Sequence, residues 1–212
     1  MVLENCCEET DVTYMASVKE MLFVMKEPVA LEDIATLPGF EDANLHMVQA
    51  VLEESANLCG EVLAPLNVEG GRNPSSWKDG KVTATSGFAD AFRQFAEGGW
   101  QGVQHLLGYE GQGLPKLIAP PCVEMLNASN LSFALCPLLT DGAIEALLTA
   151  GTETQKQTYV PELISGEWTG TMNLTEPQAG SDLALVRHQG EPDRCPAVWR
   201  SRWRNRSSDR RG

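Results

Sequence analysis

The densest chemistry in this 212-residue chain lies in one run, Met172-Asn173-Leu174-Thr175-Glu176-Pro177-Gln178-Ala179-Gly180-Ser181-Asp182. Two hydroxyls, Thr175 and Ser181, bracket a carboxylate, Glu176, and a glycine, Gly180. Pro177 fixes its own φ and pushes Glu176 away from helix, so the extended residues before it must turn there. Gly180 has no Cβ, so its backbone can approach a bulky anion closely. Consecutive N–H groups beside the Ser181 hydroxyl can form an anion-binding nest. A strand end, a sharp turn and a Gly-Ser pair together suit a pyrophosphate. Glu176 is a poor general base in this setting. The turn sets it among backbone groups, where a carboxylate orients a loop. No metal site is readable: Cys6, Cys7, Cys59, Cys122, Cys136 and Cys195 contain no CxxC, and the three His residues do not cluster with them.

This run resembles the Thr-Glu-Pro-x-x-Gly-Ser-Asp signature of the acyl-CoA dehydrogenases, which are FAD enzymes. The resemblance implies that Thr175 and the backbone of Met172 and Leu174 face the isoalloxazine ring. It implies that Gly180 and Ser181 meet the FAD pyrophosphate, with Ser181 also touching the CoA substrate. The implied reaction is α,β-dehydrogenation of an acyl-CoA thioester. A carboxylate removes the α-proton while the β-hydrogen leaves as hydride to the flavin. The family's catalytic Glu sits in a C-terminal helical domain, so no residue here is assigned as catalytic. By the same resemblance the partners are acyl-CoA and further copies of the chain. An acyl-CoA oxidase, which differs in how reduced flavin meets oxygen, is an alternative from the same fold.

The elements that must position this run read as helices. Val18, Met21, Leu22 and Met25 give a short amphipathic helix ending at Pro28. Leu45, Val48, Leu52, Cys59 and Leu63 give a longer one, capped by Asp42 and stopped by Pro65. Residues 68–85 read as a loop with one β excursion near Lys81–Thr85. Ser86 caps a helix with Phe88, Phe92 and Phe95 on one face, and Gly98-Gly99 ends it. A helix starts at Pro120 or Pro121. Pro137 separates it from another, capped by Asp141, that carries Ile144, Leu147 and Leu148. Thr152 and Gln155 form a capping box for one more. Glu167 to Leu174 alternates in part and reads as the first strand.

Helices followed by a strand at the motif is the order of the acyl-CoA dehydrogenase N-terminal domain and the start of its middle β-domain. The fold expected is therefore mainly α: an antiparallel helical bundle over 42–164 and the first strand of a β-domain over 165–187. Residues 1–41 form an extension with one short helix. Gly111-Gln112-Gly113-Leu114-Pro115 resembles the family's loop at the acyl pocket, although Glu110-Gly111 stands where the family usually has two glycines. Glu61-Val62-Leu63-Ala64-Pro65-Leu66-Asn67 resembles the end of its first core helix. Glu97-Gly98-Gly99-Trp100, Leu37-Pro38-Gly39-Phe40 and Ser165-Gly166-Glu167-Trp168-Thr169-Gly170-Thr171-Met172 look most like the bacterial 3-methylmercaptopropionyl-CoA dehydrogenase-like branch.

Charge is divided unevenly. Residues 1–186 carry 8 of the 16 Lys and Arg and 26 of the 29 Asp and Glu, a net of −18; residues 187–212 carry a net of +5. The tail from Arg194 interleaves arginines with Trp199 and Trp203, which suits stacking plus phosphate contact and defines a second reading, a helical interaction module with a nucleic-acid tail. The family pattern, however, runs unbroken only to Arg187. The Arg, Pro, Ser, Gly, Trp and Cys that follow are typical of out-of-frame GC-rich DNA. The expectation is a frameshift junction near residues 188–195, a disordered tail over 188–212, and no nucleic-acid role. No apolar h-region opens the chain and no uninterrupted apolar run reaches membrane-span length, so a soluble cytoplasmic protein is expected.

Overall fold

The computed structural model describes residues 14–192 and 199–203. Its contacts divide the chain between Thr171 and Met172, inside the segment 165–187 expected to be one piece.

The first unit is helical. Helix α1, Val18–Lys26, is followed by a single turn, α2, Leu31–Ile34, so the N-terminal extension holds two helices and not one. The expected leader at 1–13 lies outside the described residues. Helix α3, Leu45–Asn57, is capped by Asn44, whose side chain accepts from the Met47 amide at 3.0 Å; Asp42 sits too early to reach that turn. The helix does not stop at Pro65. It widens into a π turn over Leu58–Leu63 and continues as α4, Ala64–Arg72. Proline has no N–H, and its ring crowds the carbonyl four residues back. The widening falls just before Pro65, which then occupies a first turn where no N–H is needed.

Strands β1, Ser76–Lys78, and β2, Lys81–Thr83, pair antiparallel with Trp77 opposite Val82. Asp79 and Gly80 both have positive φ, the requirement of a type I′ hairpin turn. Helix α5, Phe88–Glu97, starts from Gly87 at φ 84°, with no side-chain cap from Ser86. Glycine adopts that left-handed start without strain, so a hydroxyl cap is not needed.

Helix α6, Ala119–Ser129, begins at the Pro120-Pro121 pair. Helix α7 runs without interruption from Leu131 to Ala150, through Pro137. A proline inside a helix costs about 3 kcal/mol. The buried face Phe133, Ala134, Pro137, Thr140 and Ile144 outweighs that cost. Asp141 is consequently mid-helix and caps nothing. By length and composition α7 could cross a membrane. One face packs into the helical unit through Phe133, Ala134, Pro137, Thr140 and Ile144, while Leu131, Leu135 and Leu138 are exposed. Helix α8, Glu153–Ser165, opens on the expected capping box: the Gln155 amide donates to Thr152 Oγ1, and the Thr152 amide donates to Gln155 Oε1 at 2.9 Å.

The main core collects Met25, Leu31, Val48, Leu52, Leu63, Phe95, Ile118 and Met125 around Phe133. The Phe133 ring centroid lies 6.2, 6.3 and 5.9 Å from those of Phe88, Phe92 and Phe95. A smaller core of Ile144, Val160, Leu163 and Ile164 joins α7 to α8.

The second unit carries the motif, a 3₁₀ turn at Leu183–Leu185, and strands β3, His188–Pro192, and β4, Trp199–Trp203, paired antiparallel. Two expectations fail here. Glu167–Leu174 is not a strand, because no strand among the described residues offers it a ladder partner. The stretch expected to be disordered pairs over 188–192 and 199–203. Having no apolar side chain but Trp beyond Val198 argues against a buried sheet face, but a two-stranded ladder needs only backbone partners and tolerates Arg, Ser and Trp. The remainder of the tail lies outside the described residues.

The ring cluster sets a stability test. Phe133→Ala is expected to cost about 3–5 kcal/mol, and Trp77→Ala, on a side chain 72% exposed, less than about 0.5 kcal/mol. Urea unfolding of the two variants measures both; similar losses would place the core elsewhere.

Candidate functional site

The motif separates into a half that faces inward and a half that faces solvent. Glu176 and Ala179 exchange two backbone hydrogen bonds, each 3.0 Å, and close a turn over Pro177-Gln178. Proline pre-sets the φ of the first central position of such a turn. Glu176 is 7% exposed and Ala179 is buried. Glu176 Oε2 accepts from the Arg187 amide at 3.0 Å and from Gln178 Nε2, so this carboxylate ties the far end of the loop back to its start. Asp182 Oδ1 accepts from the Ala184 amide at 3.1 Å and starts the 3₁₀ turn.

The residues singled out from the sequence lie on the other half. Met172, Leu174, Thr175, Gly180 and Ser181 are all exposed. Among the described residues the Thr175 and Ser181 hydroxyls and the Gly180 and Ser181 amides make no hydrogen bond to the protein. Gly180 does not adopt a positive φ, and a Cβ built on it would meet nothing within 4 Å. The fold of this loop does not require glycine there. The open space in front of it is available to another molecule.

A second polar constellation lies wholly within the helical unit and escaped the sequence reading. The irregular stretch 100–118 folds back on itself: the amides of Gln112, Gly113 and Leu114 donate to the carbonyls of Gly102, His105 and Val103 at 2.9, 2.8 and 3.2 Å. Gly111 packs so closely that a Cβ would overlap the His105 carbonyl. Glu110, where a second glycine was the family expectation, takes φ 67° itself. His105 is 1% exposed, and its Nε2 lies 2.8 Å from Asp141 Oδ1. The same oxygen accepts from Gln104 Nε2 at 2.8 Å. Nδ1 of His105 has no hydrogen-bond partner among the described residues and lies 3.9 Å from Glu145 Oε1, which pairs with Lys116 at 2.7 Å. Burial alone would raise the Asp141 carboxyl. Hydrogen bonds from His105 and Gln104 and the charge of Lys116 outweigh it and hold the group below the ordinary carboxylate range. Beside these groups is a cavity of about 60 Å³ lined by Phe95, Gln101, Gln104, Leu126, Leu138 and Asp141.

Residues 73–167 match the family described as acyl-CoA dehydrogenase, N-terminal domain. Residues 73–167 of the helical unit belong to the acyl-CoA dehydrogenase N-terminal domain family. The chain is 41% identical over 180 residues to a 3-methylmercaptopropionyl-CoA dehydrogenase of Ruegeria pomeroyi, which covers 85% of this chain and 31% of that protein. It is 26% identical over 191 residues to a butyryl-CoA dehydrogenase of Syntrophomonas wolfei, covering 88% and 31%. An acyl-CoA dehydrogenase complexed with FAD from Bacillus anthracis superposes with a TM-score of 0.59 at 19% identity, over 74% of this chain and 25% of that one, and so shares its fold. The chain thus spans about a third of the length of the curated relatives it matches. Within the acyl-CoA dehydrogenase domain, Asp141 and His105 carried no readable signal. The His stands alone in a glycine-rich stretch, and the Asp reads as a cap once Pro137 is taken for a break.

The depressed Asp141 carboxyl fixes a pH dependence. Its folded value lies below the unfolded one. Its contribution to stability is therefore complete above the unfolded carboxylate range and is lost as pH falls through the folded value. Urea midpoints of the parent chain, followed from about pH 6 to about pH 3, are expected to fall more steeply than those of Asp141→Asn. Equal slopes would remove Asp141 from this account.

Proposed function

We propose that this chain is part of an FAD-dependent acyl-CoA dehydrogenase and supplies the motif side of its flavin site. The observation that supports this most is the division of the motif. Everything polar that the loop needs for its own closure, Glu176 and Asp182, is engaged. The hydroxyls and amides that a pyrophosphate needs are exposed beside a glycine with open space in front of it. In this reading Gly180 and Ser181 hold the pyrophosphate through backbone N–H and hydroxyl donors. Thr175 and the backbone of Met172 and Leu174 border the flavin ring. Ser181 is also a contact for the CoA thioester. When bound, FAD supplies the acceptor for the hydride that leaves the substrate β-carbon.

What the chain's own residues contribute is binding and orientation. Glu176 is no candidate for the proton-abstracting base, since its carboxylate is occupied by Arg187 N–H and Gln178. No other residue is assigned that role, and this chain by itself is proposed to be inactive on acyl-CoA. The cavity between α6, α7 and the glycine loop suits the apolar end of an acyl group, with Phe95, Leu126 and Leu138 as its walls. Homo-oligomers and an acyl-CoA substrate belong to the same proposal.

Gly180→Val offers a sharp test. The site is open and its φ ordinary, so thermal stability is expected to stay the same. FAD titrated into the 212-residue chain should bind weakly, because association costs several kcal/mol before contacts contribute. Gly180→Val, whose side chain enters the open space, and Ser181→Ala, which removes a donor, should each weaken it further by about tenfold, for Ser181 roughly the 1.4 kcal/mol of one good charge-assisted hydrogen bond. Flavin fluorescence reads the affinity. Binding indifferent to both substitutions would place the flavin elsewhere.

A further inference from the structure

Loop 100–118 has no regular secondary structure beyond isolated 3₁₀ turns, yet its backbone is tightly ordered around one side chain. We propose that Asp141 is the positioning residue of this glycine loop. Through a single carboxylate oxygen it fixes both Gln104 and His105 and so seats the loop that borders the α6–α7 cavity. The proposal rests on the reading of that cavity as the acyl site for its functional meaning, and on geometry alone for its structural content.

Four contacts form a continuous path. Asp141 Oδ1 accepts from Gln104 Nε2 and His105 Nε2, each at 2.8 Å. A carboxylate is an acceptor only, so His105 must carry its proton on Nε2. The His105 carbonyl in turn accepts from the Gly113 amide at 2.8 Å, and Gly111 lies flat against the same peptide. Gln101 Nε2 adds a parallel tie to the Pro137 carbonyl at 3.3 Å, one turn earlier on α7. Two consecutive turns of α7 therefore hold Gln101, Gln104 and His105 of the loop's first, turn-rich arm, and that arm holds Gly111 to Leu114 by backbone hydrogen bonds. Gln101, Gln104 and Asp141 also line the cavity, so the seating of the loop sets the cavity's polar edge. The titratable and charged groups around Asp141 are His105, Lys116 and, one turn further along α7, Glu145.

Amide hydrogen exchange on the 212-residue chain tests this without flavin or substrate. Asp141→Ala is expected to lower protection of Gln112, Gly113 and Leu114 at least tenfold while α3 and α5 amides keep theirs. Asp141→Asn retains an acceptor oxygen and should restore most of the protection, whereas Asp141→Leu, which fills the space without an acceptor, should not. Nitrogen-15 spectra of the imidazole should show the Nε2–H tautomer at His105 in the parent chain and in Asp141→Asn, and its loss in Asp141→Ala. Should the alanine variant not fold, Gln104→Leu probes the other donor and should lower the same three amides. Unchanged loop protection, a uniform loss across all helices, or an Nδ1–H tautomer in the parent chain would each overturn the proposal. With these results intact, wild-type binding of a short-chain acyl-CoA by a Leu138→Trp variant that fills the cavity would overturn only the reading of the cavity as the acyl site.

Discussion

Asn130 makes the pair of hydrogen bonds on which the helical unit converges. Its Oδ1 accepts from the Phe133 amide at 3.1 Å and starts α7, while its Nδ2 donates to the Leu63 carbonyl at 3.0 Å, at the end of the π turn. It is almost wholly buried. A buried amide side chain left without partners is costly, so both bonds must form together with the core around them. This junction places Phe133 where the three phenylalanines of α5 meet it. It also sets the rotation of α7, and the rotation decides that Pro137, Thr140 and Ile144 face inward while Asp141 reaches the loop.

Prolines were the hardest residues to read from sequence, and the reason is specific. At Pro120 and Pro177 the local rule suffices, because a helix start and a turn are local events. At Pro65 and Pro137 the rule gives a helix end and the fold gives a continuous helix. In the first case a π turn absorbs the misfit; in the second a buried face outweighs it. Both outcomes depend on packing that is contributed by other segments. Asp141 was misread as a direct consequence, since a break at Pro137 makes the next acidic residue look like a cap. The capping box at Thr152–Gln155, the phenylalanine face of α5 and the Gly98-Gly99 stop involve no distant partner, and they appear where the sequence puts them.

The candidate site shows the same division. Thr175, Gly180 and Ser181 stand out in the sequence by residue type and spacing, and the loop exposes all three. The role of Glu176 as a loop tie was legible too, from its place in the turn. The Asp141–His105–Gln104 constellation was not. It joins residues 36 and 37 positions apart across two elements. No periodicity or motif connects a lone histidine in a glycine-rich stretch with a helical aspartate that distant in sequence.

The boundary between what is local and what is not falls inside the motif itself. The turn from Glu176 to Ala179 closes by two hydrogen bonds between its own residues, so four residues suffice to specify it. The extended run before it has strand-like alternation, but a strand is defined by a partner, and among the described residues none pairs with Met172–Thr175. Farther on, β3 and β4 do pair, in a sequence with almost no apolar residues, because each offers the other a complete ladder. Alternation without a partner gives no strand, while β3, His188–Pro192, forms one with a partner and no alternation. For β-structure in this chain the availability of a neighbouring edge outranks the side-chain pattern, whereas in the helices, whose hydrogen bonds are internal to the segment, the pattern places the elements and packing decides only whether they run through Pro65 and Pro137.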